Sequence, residues 1–350
     1  MNNVFYFKAI GSIGGCESWF YYLSRLYKNM VIYYQEGNPE QIKRLAQNVE
    51  VRKYKENEII KCKNFFCCYN PDIINNVEAE HYYHIIHCDY KNVWFSPILN
   101  PKFEKYIAVS KVAGESFKEL TGIDYELIYN PIDIDIPKVE KYNDGKLHLI
   151  SATRLTREKG LARMQKLAKA LEKANIDYVW EIYTNRVREA VGNNVIYKDP
   201  KFNIVEEIAK ADYLVQLSDC EAFCYSIVES LMVNTPVIAT DLPVLQELGV
   251  KNGLEGYILD FNLLNIPLDQ IKQKSLKVAY KPPKSEWGKY LVGTRNYDPK
   301  AKIKVKTKRG FYLVEEDIHT FRGQELEITN ERASYLEAKE LVERIWNYQL

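Results

Sequence analysis

The sequence lacks long apolar runs, an excess of charge of one sign and a cysteine framework. No run approaches about 18 apolar residues, so we expect no transmembrane helix. The 48 basic and 47 acidic residues leave a net charge of +1, which argues against bulk binding of nucleic acid through phosphate neutralisation. The first residues carry neither a charged segment nor a long apolar core, so no signal peptide is predicted.

The seven cysteines of this 350-residue chain are odd in number and show no framework spacing. Free thiols in a reducing cytoplasm explain this pattern better than disulfides do. We therefore expect a cytoplasmic protein, with at most peripheral contact at the inner face of the membrane.

Short apolar runs alternate with amphipathic helical segments along most of the chain. The runs are nearly continuous in apolar residues, which is typical of parallel strands covered on both faces. A polar linker near residue 140 separates two such series, the second beginning with LHLISAT at 147. We predict an α/β fold of two doubly wound Rossmann-like domains facing a cleft, with boundaries at 1–140 and 141–291. The segment SEWGKYL at 285–291 is predicted to form a tail helix that returns to the first domain.

Residues 292–350 do not follow this alternation. KIKVKTKRGFYLV and QELEIT have the pattern of half-exposed strands, and 332–346 has that of an amphipathic helix. A β-plus-helix appendage of this size is too small for an independent enzyme. We expect it to mediate self-association into a homo-oligomer or docking to a partner, with contact to anionic lipid as a weaker alternative.

Two glutamates, Glu221 and Glu229, lie eight positions apart where a loop leads into an apolar helix. A carboxylate in such an element is costly to bury unless a polar group docks against it. Two solvated carboxylates on an ordinary amphipathic helix would give the same spacing, so the pair alone does not decide between a site and a surface.

Two glycine-containing turns follow predicted strands and precede helices. In the first, Gly14 and Gly15 would let the backbone approach a ligand beside a helix N-terminus, which favours phosphate. In the second, Arg154 can form a forked contact with two oxygens, Lys159 adds a compact charge, and Gly160 opens the next helix. An ordinary tight turn and a basic surface loop remain the alternatives.

The histidines of HIIHCDYKN at 84–92 could be considered metal ligands together with Cys88 and Asp89. A strand sends positions 84 and 87 to opposite faces, and no second pair completes a tetrahedral site. A buried histidine with satisfied hydrogen bonds is the alternative. We therefore predict neither a metal nor another cofactor.

In this order along the chain, the segments resemble motifs of the retaining, GT-B-fold glycosyltransferases of family 4. Glu221 and Glu229 match the E-x7-E motif, and Gly14, Gly15 and Glu17 match the G-G-x-E loop. The stretch 153–160 is similar to G-R-L-x-x-x-K-G, although threonine replaces the leading glycine.

Two further strings carry the resemblance. His87 is the best match to the histidine that the family places near the transferred sugar, and His84 is the second choice. The string Asn130-Pro131-Ile132-Asp133 looks like the N-P-[VI]-D string that ends the family's first domain, where we expect a structural hinge.

The resemblance implies transfer of a sugar from a nucleoside diphosphate sugar, with UDP favoured, to a hydroxyl acceptor with retained configuration. It places the acceptor in residues 1–140 and the donor in 141–291, and suggests bacterial surface glycan, teichoic acid or glycoconjugate assembly. The catalytic residues implied are His87, Arg154, Lys159 and Glu221. The donor-binding residues implied are Gly14, Gly15, Arg154, Lys159, Asn185, Lys198, Glu221, Ala222, Phe223, Cys224 and Glu229.

Two competing functions use the same fold. A sugar-nucleotide epimerase would share the diphosphate site and act on UDP-GlcNAc without an acceptor. A non-catalytic binding or assembly protein would keep the fold for its tail and tolerate the loss of Glu221 or Arg154.

Overall fold

The computed structural model describes residues 1–187, 189–293, 297–314 and 318–344. Two parallel sheets dominate it, one of seven strands and one of six, as the two series of apolar runs predict. The described part of the chain also contains three small sheets, one of three strands and two of two strands.

The first sheet is built from the amino-terminal part of the chain, and each pair of neighbours is parallel. Its strands, in sheet order, are Glu50–Lys53, Val31–Tyr34, Asn3–Phe7, Ile60–Cys68, Val77–Ile86, Lys105–Ala108 and Glu126–Leu127. Its helices are Gly15–Leu26, Pro39–Ala46, Lys111–Thr121 and the 3-10 turn Ile74–Asn76, and Ala9–Ile10 pairs with Glu36–Gly37 at one end.

The helix Pro39–Ala46 and the strand Glu50–Lys53 fall outside the apolar runs on which the fold prediction rests. Asn38 caps the helix Pro39–Ala46 by accepting from the backbone amides of Glu40 and Gln41, and proline at the first helical position stabilises its start. The next strand, Glu50–Lys53, is short and charged because it lies at the sheet edge, which hides the apolar pattern of a central strand.

The second sheet has the same design. Its strands, in sheet order, are Val195–Lys198, Tyr178–Tyr183, Leu147–Ala152, Tyr213–Gln216, Val237–Thr240 and Gly256–Leu259. Its helices are Leu161–Lys173, Ile204–Lys210, Tyr225–Met232, Pro243–Glu247 and Leu268–Gln273. No helix within the described ranges has the length and apolar character that a membrane crossing requires.

The two halves are joined by polar contacts at helix ends. The Glu247 carboxylate of the second half accepts from the backbone amides of Lys111 and Val112, at 2.5 and 3.2 Å. A carboxylate at this position satisfies free amides and complements the positive end of the helix dipole. The contact therefore links the halves without burying an unpaired charge.

The predicted tail segment does return to the first half, but as the single 3-10 turn Trp287–Lys289 rather than a helix over 285–291. The Trp287 ring is fully buried. Its centre lies 6.2, 5.3 and 5.9 Å from those of Phe5, Trp19 and Phe66. One aromatic side chain thus anchors the returning segment, where we expected a helix.

The appendage forms a three-stranded antiparallel sheet in the order Glu325–Thr329, Lys302–Thr307, Val342–Arg344, with a short hairpin of Tyr312–Leu313 and Ile318–His319 beside it. Its helix, Asn330–Ala338, ends earlier than predicted.

The predicted helix over 332–346 is wrong beyond Ala338, and its last two residues lie outside the described residues. Val342 and Arg344 point inward while Glu343 is exposed, a period of two that suits a strand. Pairing with Lys302–Thr307 therefore outweighs local helix propensity.

The appendage packs on its own chain, at the edge of the first sheet. Ser334 Oγ donates to the carbonyl oxygen of Val51 at 3.3 Å, and Lys53 Nζ pairs with Glu340 at 2.8 Å. Tyr297 OH donates to the Ala46 carbonyl oxygen at 2.6 Å. These contacts cover an edge strand that would otherwise present free backbone groups.

Replacing Trp287 by alanine should remove the anchor of the returning segment. The loss of a buried indole is expected to lower the free energy of unfolding by about 3–5 kcal/mol. Chemical denaturation would measure it, with Trp94→Ala as the matched control because Trp94 is 95% exposed. The control should stay within about 0.5 kcal/mol of the parent. Equal effects of the two variants would contradict the anchor.

Candidate active site between the two parallel sheets

A cavity of about 650 Å³ lies between the two halves and is lined by residues from both. Its walls are loops that follow the carboxyl ends of strands, including Tyr69 and His87 from the first sheet and Thr153 and Thr184 from the second. Open parallel sheets commonly bind ligands at these ends. The cavity is therefore the candidate site.

The structure brings all the predicted site residues except Lys198 into the lining. They are Gly14, Gly15, His87, Arg154, Lys159, Asn185, Glu221, Ala222, Phe223, Cys224 and Glu229. Lys198 lies outside the lining and instead pairs with Glu181 on the neighbouring strand, Nζ to Oε1 at 2.6 Å.

Lys159 and Glu221 form an ion pair at the cavity wall, with Nζ 2.6 Å from Oε1. Gln216 Nε2 and Ser218 Oγ donate to the same oxygen at 2.9 and 2.8 Å. Burial opposes the charge on Lys159, but the Glu221 carboxylate outweighs it and raises the pKa of Lys159 above its ordinary value. The wall thus holds a lysine that stays charged at neutral pH.

Gly160 determines the position of Lys159. It has φ +80° and is the N-cap of the helix Leu161–Lys173. A Cβ atom at Gly160 would overlap the carbonyl oxygen of Leu217. Because only glycine tolerates both the left-handed backbone and this close approach, the loop can bring the Lys159 ammonium to the cavity.

Arg154 is the second cation of this wall, and its side chain is 61% exposed. Among the residues that the structure describes, its one ion pair is with Glu158 at 3.4 Å, four residues along the chain. Exposed pairs of this kind contribute little, so an anionic ligand can compete for the guanidinium. Arg157, in the same loop, is exposed and lies outside the cavity lining.

Glu229 is buried and accepts a hydrogen bond from Tyr22 OH across the cleft, at 2.6 Å. Burial raises the pKa of Glu229 above its ordinary value, while the Tyr22 hydrogen bond and the charge of Arg44 oppose the rise. Arg44 itself lines the cavity, with its guanidinium carbon 3.3 Å from the centre of the Tyr21 ring and 5.0 Å from that of Phe202.

The loop that contains Gly14 and Gly15 is held by a hydrogen bond to Glu17. Glu17 Oε1 accepts from the backbone amide of Gly11 at 2.7 Å, across the turn that holds Gly14 and Gly15. The helix Gly15–Leu26 begins at the cavity. The first-turn amides therefore face the same space as Lys159 from the opposite side.

The two histidines have different positions. His84 is buried, its Nε2 lies 2.9 Å from the Tyr69 carbonyl oxygen, and burial lowers its pKa to about 4. His87 lines the cavity with Nε2 3.4 Å from Cys68 Sγ, and burial lowers its pKa to about 3. His87 is therefore a neutral ring at neutral pH. Within the described ranges, no group of three His, Cys, Asp or Glu side chains could hold a metal ion.

Three buried polar atoms of the lining lack a hydrogen-bond partner among the described residues, namely Asn130 Oδ1, Thr184 Oγ1 and Gln216 Oε1. Buried polar atoms are nearly always paired. Their concentration here fits a cavity that is completed by a polar ligand.

Sequence reasoning missed several of these side chains. Three of them, Tyr22, Arg44 and Gln216, lie inside ordinary helix or strand patterns. Nothing in the neighbouring sequence distinguishes them from structural residues. Asn130 was interpreted as a hinge residue, yet its side chain lines the cavity. A search for polar residues at the ends of apolar strands would have found Asn130 and Gln216.

Comparison with known proteins supports the assignment of the fold. The family model described as Glycosyl transferases group 1 matches residues 133–266. No curated protein sequence matches the chain.

Solved structures are similar over most of the chain. A UDP-glucose complex of Alr3699/HepE from Anabaena is 15% identical and covers 79% of this chain and 92% of its own, with a TM-score of 0.62. A glycosyltransferase from Rickettsia africae ESF-5 is 13% identical, covers 78% and 88%, and has a TM-score of 0.56. The lipopolysaccharide outer core galactosyltransferase WaaB is 16% identical, covers 78% and 89%, and has a TM-score of 0.51.

The chain has the GT-B fold, and the predicted fold class is confirmed. At these identities the structural likeness establishes the architecture alone. The family match falls on the part of the chain that contributes Arg154, Lys159, Glu221 and Glu229 to the cavity.

Gly160→Ala should destabilise the protein more than Gly145→Ala. Both glycines have positive φ, but a Cβ at Gly145 meets no atom within 4 Å. Left-handed strain alone costs about 1–2 kcal/mol, and overlap with Leu217 should add about 1–3 kcal/mol or more. Denaturant unfolding of the two variants measures the difference. Equal losses would show that the close approach is unimportant.

Acid should weaken the fold through the buried histidines. Their pKa values of about 4 and about 3 lie below the ordinary 6.5, so their contribution is complete above pH 6.5 and is lost as the pH falls below it. Each histidine contributes a slope of up to about 1.4 kcal/mol per pH unit. His84→Gln should reduce the slope of unfolding free energy against pH between about 6 and 5. An unchanged slope would refute the neutral, buried state.

Proposed function

We propose that this chain is a retaining glycosyltransferase of family 4 that transfers a sugar from a nucleoside diphosphate sugar, with UDP as the nucleotide, to a hydroxyl acceptor. The observation that carries the proposal is the shared cavity that Lys159, Arg154 and Glu221 line together. The group 1 family match and the UDP-glucose complex of the Anabaena neighbour are further support.

The diphosphate would bind at the cationic wall. Arg154 is exposed and weakly paired, and Lys159 is charged, so both can turn to phosphate oxygens. As the bond to the sugar breaks, negative charge builds on the leaving diphosphate, and prepositioned cations stabilise it more than they stabilise the ground state. This differential stabilisation would be the main catalytic contribution, with no metal required.

The two glutamates would hold the hydroxyl groups of the donor. Glu221 already receives three donors on one oxygen, which leaves its second oxygen to accept from the sugar and fixes its orientation. Glu229 would accept from the ribose hydroxyls, with Tyr22 holding it from the other half. The loop Ala222, Phe223, Cys224 would pass beside the sugar, and Asn185 would lie on the nucleotide side.

The first half would present the acceptor. Gly14 and Gly15 bring main-chain amides to the cavity, and the neutral His87 would contact the transferred sugar through its ring or its carbonyl. No carboxylate is assigned as a nucleophile. In a front-face route the donor phosphate itself takes the proton of the acceptor hydroxyl, so the configuration is retained.

The family resemblance suggests a role in bacterial surface glycan, teichoic acid or glycoconjugate assembly. A cytoplasmic location, peripheral contact with the membrane and self-association through 292–350 stay predictions. Because the appendage helix packs on the first sheet of its own chain, any self-association would use its other faces.

A thermal-shift series with UDP, GDP and ADP and their glucose and N-acetylglucosamine derivatives tests the proposal, because a ligand of the folded state raises the melting temperature. UDP compounds should stabilise selectively. Arg154→Ala and Lys159→Ala should each weaken UDP binding at least about tenfold, the effect of losing one charge-assisted contact. Arg157→Ala, a neighbouring cation outside the cavity lining, is the matched control.

Turnover distinguishes the competing functions. The transferase should release UDP faster when an acceptor is added, and Glu221→Gln should lower kcat by at least about a hundredfold. Conversion of UDP-GlcNAc to its epimer without acceptor would favour the epimerase. Binding of no nucleotide would overturn the proposal altogether.

A further inference from the structure

A loop over 87–104 connects the candidate site with a second cavity on the first half. His87 lines the first cavity, and Leu99 lines the second, which has a volume of about 620 Å³. The second cavity lies at the amino ends of the strands Lys105–Ala108 and Glu126–Leu127. At about 3.3 Å per residue, the four-residue strand Lys105–Ala108 separates the two cavities by about 13 Å.

The middle of this loop displays an exposed tryptophan. The Trp94 side chain is 95% exposed, whereas Trp19, Trp180 and Trp287 are fully buried. A large aromatic side chain left in solvent contributes nothing to a core, and such exposure often marks a binding surface.

The loop is built to hold Trp94 in place. Asn92 Nδ2 donates to Asp89 Oδ2 at 2.7 Å, which closes a turn before the tryptophan. Directly after it, Phe95 packs against Tyr69, with ring centres 6.4 Å apart. Tyr69 lines the candidate site, so the residue that follows the tryptophan is anchored to the wall of that cavity.

The second cavity combines aromatic faces with carboxylates. Tyr125 supplies a half-buried ring, Phe103 and Tyr106 are buried in the wall, and Glu104 and Asp124 supply the acids. The carboxylates are held by partners: His81 Nδ1 lies 3.0 Å from Glu104, and Lys118 Nζ lies 2.7 Å from Asp124. Aromatic faces with fixed hydrogen-bonding groups suit a ligand with apolar C–H faces and many hydroxyl groups.

We propose that the loop and the second cavity form an extended subsite for an oligosaccharide acceptor, whose reacting end enters the first cavity. This proposal rests on the proposed function and specifies its acceptor class. Trp94 stacks on one sugar ring outside the catalytic cavity, and the half-buried ring of Tyr125 receives a more distant one. The enzyme would therefore elongate or decorate a chain of sugars rather than glycosylate a small alcohol.

The charges disfavour a membrane as the occupant. The lining carries Glu104, Asp124 and Glu126 with Lys105, and Lys118 and Lys289 pair with Asp124 and Glu126. These paired charges leave no cationic patch of the kind that binds an anionic lipid surface. Sugar hydroxyls can instead donate to these carboxylates.

The first experiment measures binding. A glycan array carrying mono- to hexasaccharides of several linkages is probed with the full chain, with UDP present. A bound oligosaccharide should then shift the tryptophan emission of the parent to shorter wavelength and protect that emission from a soluble quencher. Neither change should occur in Trp94→Phe, which isolates the signal of Trp94. Trp94→Ala should weaken oligosaccharide binding at least about tenfold.

The second experiment measures turnover with the glycan identified on the array. Trp94→Ala and Tyr125→Ala should raise KM for the oligosaccharide at least about tenfold and leave KM for the donor and for the matching monosaccharide unchanged. Trp94→Phe should restore most of the loss, because a ring remains available for stacking.

The outcomes separate this proposal from the proposed function. If UDP binds but no oligosaccharide does, or if the Trp94 variants bind oligosaccharides as the parent does, the extended subsite is refuted and the donor site stands. Trp94-dependent binding to phosphatidylglycerol vesicles without glycan binding would also refute it. Failure to bind UDP would instead remove the proposed function.

Discussion

The buried carboxylate of Glu229 is the constraint on which the arrangement of the site depends. An ionisable group without solvent is costly unless it is paired or hydrogen-bonded. Here the hydrogen bond comes from Tyr22 on the other half of the chain, and the positive charge nearby comes from Arg44. The buried carboxylate on a helix of the second half is thus stabilised by side chains on helices of the first. This interaction favours contact between the two halves at this point.

The Lys159–Glu221 pair follows the same physical rule, with its charges balanced within the second half. Lys159 and Glu221 satisfy each other, and Gln216 and Ser218 complete the glutamate. A polar ligand that entered the cavity would exchange one set of polar contacts for another and would not need to place a new charge in an apolar space. The orphaned oxygens of Asn130 and Thr184 show where polar contacts are still unmade. Such a preorganised cavity is suited to recognise an anionic, hydroxyl-rich molecule.

The appendage illustrates how tertiary contacts change the interpretation of a sequence. From its pattern alone it could associate with a second copy or with a partner. In the structure its helix covers the edge strand Glu50–Lys53, and Arg344 and Ser334 are buried against that edge. The part after Ala338, whose pattern predicted a helix, joins a sheet instead because it pairs with the strand Lys302–Thr307.

The sequence by itself determined the alternating architecture, since apolar runs of strand length and helices of period 3.6 leave few alternatives to parallel sheets. It also determined the loop residues of the site, because glycines and charges after strands are visible locally. Only the tertiary structure decided that Lys159 pairs with Glu221, that Tyr22, Arg44 and Asn130 belong to the cavity, and that Lys198 does not. Those facts depend on which residues distant in the chain are brought together in space, and a local pattern holds no information about such distances.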